Sequence, residues 1–126
     1  IMRYIFLIIL LLAANSVYSH EFTPAYPELV PSYLPGIYVA KMKLLNKRKE
    51  IEYYQITVLS DDMKPIRFGS SDEILKLKYL SSKKVEVYIS KEDIKKARFI
   101  CSTSKILKMP GQEASVISSK ICSRIK

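Results

Sequence analysis

Beyond Gly36 the chain alternates apolar and polar residues in short runs, and turn-forming residues end each run early. Val85-Glu86-Val87-Tyr88-Ile89 sets Val85, Val87 and Ile89 on one face. Leu75-Lys76-Leu77-Lys78-Tyr79 sets its lysines on the other. A period of two marks half-buried strands, because successive side chains leave a strand on opposite faces. A chain built this way must bury one face of each strand, so it is expected to form a sheet-based fold.

Residues 37–45 and 50–59 flank the polar stretch Asn46-Lys47-Arg48-Lys49 and are expected to pair as a hairpin. A four-residue loop would set Lys43 opposite Glu52, a favourable cross-strand pair. It would also place Tyr38, Ala40, Met42, Leu44, Ile51 and Tyr53 on the buried face, with Lys41, Lys43, Glu52 and Tyr54 outside. Ser60–Pro65, Gly69–Asp72 and Ser81–Lys84 read as turns, with a short strand at Ile66–Phe68. Ser90-Lys91-Glu92-Asp93 resembles a capped helix start and predicts a short helix over 91–97. A further strand is expected from Arg98 to Leu107. The tail 113–125 fits either a helical stripe or an edge strand. The expected fold is mainly β, with α+β as the other reading. It is an antiparallel meander or a small SH3-like or OB-like barrel of five to six strands with one short helix.

The first nineteen residues have the pattern of a secretory signal peptide. Met2-Arg3 precedes the apolar run from Tyr4 to Ala14, and small residues follow at Ser16 and Ser19. The apolar run has 11 residues, against about 20 for a membrane span. Cleavage is expected after Ser19, with Ser16 as the other site. No cysteine stands nearby to accept a lipid, so no stable membrane anchor is expected after cleavage. The destination is the periplasm or the extracellular space.

Residues 20–126 then form a chain of 107 residues, the size of one domain. Residues 20–36 hold Pro24, Pro27, Pro31 and Pro35 among tyrosines. They read as an extended, polyproline-like arm leading into a domain over 37–126. Tyr26 and Tyr33 either pack back on that domain or are offered to a partner. Both cysteines, Cys101 and Cys122, lie in the exported part and are expected to form a disulfide, with two free buried thiols as the competing reading. Closing a loop of this length contributes about 3 kcal/mol in the chain-entropy account.

Little points to catalysis. The single histidine, His20, stands at the expected cut site without a nucleophile motif. A copper site there would lack a second histidine, so His20 reads as an ordinary terminal residue. The carboxylate pairs Asp61-Asp62, Asp72-Glu73 and Glu92-Asp93 fall where turns and caps prefer acids. The chain has three glycines and no phosphate-binding loop. No enzyme, metal or cofactor is expected.

The charge is more informative. The exported part carries 20 basic and 12 acidic side chains. Lys41, Lys43, Lys76 and Lys78 would form a basic plate if their strands shared a sheet. Lys47, Arg48 and Lys49 would extend it, and Tyr54 would add an aromatic platform. The plainer reading is that these lysines keep sheet edges soluble. Together these features predict a small exported binding protein that works through protein–protein contact, as an envelope assembly subunit or an inhibitor. A basic module for anionic lipid headgroups or acidic glycans is the alternative, and export makes nucleic acid a poor ligand.

Overall fold

The computed structural model describes residues 2–13, 20–105 and 118–126. Helix α1 spans Met2–Ala13, and no helix among the described residues is long and apolar enough to cross a membrane. The expected cleavage points, the end of the strand at Leu107 and the start of the tail lie outside the described residues.

Nine strands follow among the described residues: β1 (Glu21–Thr23), β2 (Val30–Pro31), β3 (Ile37–Leu45), β4 (Tyr53–Ser60), β5 (Gly69–Ser70), β6 (Ile74–Lys76), β7 (Ser82–Ser90), β8 (Ala97–Lys105) and β9 (Lys120–Arg124). All pair antiparallel, in two sheets. The first has the order β1-β3-β7-β5, with β2 also on β3; the second has the order β6-β4-β8-β9. The mainly β, antiparallel reading of the sequence holds. The strand count rises because the arm and the tail contribute strands and because β5 and β6 are short separate pieces.

The two sheets enclose one core. Ala40, Met42 and Leu44 of β3 and Val85, Val87 and Ile89 of β7 face Tyr54, Ile56, Val58 and Ile100 of the second sheet. The alternation dictates this: each run buries its apolar parity and leaves its lysines in water. Buried positions such as Leu44, Ile56 and Val87 are fully enclosed, and burying a side chain of this kind contributes about 1.5–3 kcal/mol.

The expected hairpin does not form. β3 pairs with β7, setting Lys43 opposite Lys84 and Lys41 opposite Glu86, while β4 pairs with β6 and β8. Asn46 is where the chain changes sheets. Its N–H donates to the Ser81 carbonyl at 3.0 Å, and its carbonyl accepts from Leu80 N–H at 2.8 Å. The stretch after it is a crossing between sheets, so the parity of β4 is set afresh. Tyr54, expected outside, is completely buried, while Tyr53 lies on the outer face. Ile51 is buried and Glu52 exposed, as expected.

Two smaller expectations also change. Residues 91–96 form hydrogen-bonded turns rather than a regular helix. Ser90 Oγ donates to Asp93 Oδ2 at 2.7 Å, and Ile94 N–H donates to the Ser90 carbonyl at 3.0 Å, so the capping chemistry is present without the helix. Ile66–Phe68 is not a strand. Ile66 N–H donates to the Val58 carbonyl beside an isolated bridge between Leu59 and Pro65.

The proline-rich arm is woven into the fold. β1 and β2 both pair with β3 in the first sheet, while the residues between them reach β9 of the second. Arg124 N–H donates to the Ala25 carbonyl at 2.9 Å and Lys126 N–H to the Pro27 carbonyl at 3.0 Å. Proline offers no donor, and in these two bonds to the end of the chain the arm supplies only acceptors, which suits a proline-rich segment. Gly36 closes the arm at φ +75°, a left-handed conformation that favours glycine, where the chain turns into β3.

Candidate interaction surface

β9 ends the second sheet, and among the described residues β8 is the one strand it is paired with. Ser104 N–H donates to the Ser119 carbonyl and Ile125 N–H to the Arg98 carbonyl, so the odd-numbered residues 119–125 point their backbone groups toward β8. The even-numbered residues point away from it. Of these, Arg124 and Lys126 are covered by the arm through Ala25 and Pro27. Lys120 and Cys122 point their backbone groups away from β8, on the side where β1 comes close to β9, and among the described residues no strand pairs with them there. Ile121 beside them packs against the core.

A disulfide fastens this edge. Cys101 and Cys122 stand directly opposite each other on β8 and β9 and are bonded, as the sequence predicts. The tail is thereby an edge strand held covalently to its partner. An edge of five residues paired on one side would otherwise fray readily.

His20 sits at the inner end of the same strand pair, and its burial overturns its reading as an ordinary terminal residue. It is 2 % exposed. Nε2 lies 3.2 Å from the Ser102 carbonyl and 2.8 Å from Ser102 Oγ; Nδ1 lies 3.2 Å from Ser119 Oγ. A carbonyl can only accept, so Nε2 carries the proton and Nδ1 accepts from the Ser119 hydroxyl. The ring also packs on Tyr54 at a centroid distance of 4.7 Å. Nothing local in the chain points to this, because the partners stand 82 and 99 residues away.

Burial holds the His20 imidazole below its ordinary pKa, the Ser102 carbonyl opposes that effect, and the nearby Arg48 charge adds to it. The unfolded chain therefore takes up a proton at His20 before the folded protein does. This contribution is complete above pH 6.5 and is lost as the pH falls from there toward the lowered folded value. Denaturation of the protein and of a His20→Gln variant at pH 7.5 and 5.5 is expected to show the wild type losing more stability than the variant. Equal losses would place the imidazole in contact with water.

The basic residues singled out in the sequence do not form one plate. Lys41 and Lys43 lie on the outer face of the first sheet, while Lys76 lies on β6 of the second and Lys78 just beyond it. Lys47, Arg48 and Lys49 occupy the crossing. There Lys47 Nζ is 2.5 Å from Glu21 Oε1, Arg48 pairs with Glu50 at 2.7 Å, and Lys49 lies over the Tyr79 ring at 5.3 Å. Tyr54 is not a surface platform. Its hydroxyl donates to Asn46 Oδ1, and burial pushes its pKa to about 12. Tyr26 and Tyr33 of the arm are exposed, at 63 % and 85 %.

No protein-family model matches this chain, and no curated protein matches its sequence. Solved structures do share its fold. It superposes on the E. coli chaperone DraB with a TM-score of 0.62 and 18 % identity, over 86 % of this chain and 54 % of that one. It also superposes on a chain of the Salmonella enterica complex between the pilin SafA and the chaperone SafB. There the TM-score is 0.63 and the identity 12 %, over 89 % of this chain and 55 % of that one. The chain thus spans about half the length of these neighbours.

Proposed function

We propose that this is an exported, non-catalytic protein that serves envelope assembly by binding another protein, taking a strand of its partner alongside β9. Residues 1–19 act as the leader that delivers it. The observation that carries the reading is the outward backbone groups of Lys120 and Cys122, with which no described strand is paired, on a disulfide-held strand. Main-chain hydrogen bonds to such an edge give affinity in strand addition, and pockets for alternate side chains give specificity. The shared fold supports the reading, since one neighbour is described as a chaperone and another structure pairs a chaperone with a pilin. The exposed Tyr26 borders the covered end of the same edge and belongs to the proposed contact.

The geometry supplies a selective test. Lys120 N–H points away from β8, so a proline there removes an outward donor without removing a ladder bond. Lys120→Pro is expected to change stability by less than about 1 kcal/mol and to abolish capture of the partner from the envelope fraction of the source cells. Lys120→Ala, which keeps the donor, should capture the same partner as the wild type. Undiminished capture by a folded Lys120→Pro protein would rule out strand addition at this edge.

A further inference from the structure

The outer face of the second sheet carries charge of one sign. Lys76 of β6, Lys105 of β8, and Lys120 and Arg124 of β9 are all exposed there. None of the four makes an ion pair among the described residues, where five ion pairs form elsewhere. The four strands contain no aspartate or glutamate at all. The carboxylates Glu52 and Glu73 flank β4 and β6 just outside these strands and are both exposed. The first sheet differs, because Glu86 stands opposite Lys41 on its outer face.

The register arranges these cations around polar rows. Lys76 and Lys105 stand on either side of Tyr53, and Lys76 Nζ lies 5.9 Å from the centre of the Tyr53 ring. Two strand spacings separate those lysine backbones by about 10 Å, and Arg124 lies about 13 Å along β9 from Lys120. Between them run the partly exposed Gln55, Thr57 and Thr103. The surface is a flat field of spaced cations with neutral hydrogen-bonding groups between them.

We propose that this face binds an acidic polysaccharide, a polymer whose carboxylates or sulfates recur among hydroxyls. Its charges would meet Lys76, Lys105, Lys120 and Arg124, and its hydroxyls the Gln55 and threonine rows. Single-stranded nucleic acid is a poorer fit, since it stacks successive bases on successive aromatic rings. A membrane surface is poorer too, since interfacial binding buries an apolar face. On these strands Ile74 is the one large apolar side chain in the exposed class. The proposal is independent of strand addition at β9.

The test uses polygalacturonate as the probe at low salt, with neutral dextran, single-stranded poly-dT and phosphatidylglycerol vesicles beside it. Lys105→Glu/Lys120→Glu is compared with Lys43→Glu/Lys91→Glu, which makes the same change in net charge away from this face. Thermal melts establish that both variants are folded. Polygalacturonate affinity is expected to fall roughly tenfold more in the first variant than in the second, and to weaken steeply with added salt. Equal weakening in both variants, failure of the wild type to bind, or tighter binding to poly-dT or to the vesicles would overturn the proposal.

Discussion

Replacing Asn46 with alanine is expected to remove about 3–5 kcal/mol of stability, a large part of what a domain of this size possesses. Asn46 is completely buried, and its side chain uses its hydrogen-bonding groups fully. Nδ2 donates to the Ile51 carbonyl at 2.7 Å and to the Leu77 carbonyl at 2.9 Å; Oδ1 accepts from Arg48 N–H at 2.9 Å and from the Tyr54 hydroxyl. These bonds tie together the end of β3, the crossing, β4 and the segment after β6. Alanine would strand two buried carbonyls and a buried phenol far from water. Asn46→Asp should be comparably damaging despite its shape, because it turns a carboxylate oxygen toward the Ile51 and Leu77 carbonyls. Tyr54→Phe should cost only about 1–2 kcal/mol, since Oδ1 keeps its bond from Arg48 N–H. Urea denaturation at constant pH measures all three. An Asn46→Ala protein within 1 kcal/mol of the wild type would mean that water replaces the amide at this junction.

The second large effect is expected at the disulfide. Removing it by Cys101→Ala/Cys122→Ala should cost about 3 kcal/mol, from the loop it closes in the unfolded chain. The loss should also be local. β3 and β7 form a long central ladder that does not depend on β9, whereas β9 is paired with β8 alone and partly covered by the arm. Amide exchange in the folded double variant should therefore quicken at Ile121 and Ser123 of β9 well before it does at Met42 or Val87. Partner capture should fall with it, because the binding edge would fray. Uniform quickening across both sheets would instead make the bond a global constraint with no special relation to β9.

The sequence carried the strands better than their neighbours. The alternation at 85–89 and the inward placement of Ala40, Met42 and Leu44 hold, because parity depends only on a strand's own residues and on one face being buried. Pairing was harder. Two apolar runs around Asn46-Lys47-Arg48-Lys49 resemble a hairpin, yet the stretch contains no glycine and no Asn-Gly turn. Its asparagine serves a buried junction between the two sheets. Once the chain crosses there, the parity inferred for Tyr54 no longer applies, and the aromatic platform moves to Tyr53. The cysteine pair was legible because two cysteines admit a single intramolecular pairing. The edge proposed for binding was less so. The tail could be read as a helix or a strand, and which of its backbone groups stay open depends on the arm, about a hundred residues away in the chain.

Amide hydrogen exchange at Lys120 and Cys122, read in the free protein and in its complex with the captured partner, tests strand addition most directly. Both amides should exchange fast in the free protein, while Arg124, bonded to Ala25, exchanges slowly. In the complex Lys120 and Cys122 should become protected as the partner's backbone pairs with them. A stable complex in which both still exchange as fast as in the free protein would contradict binding at the β9 edge.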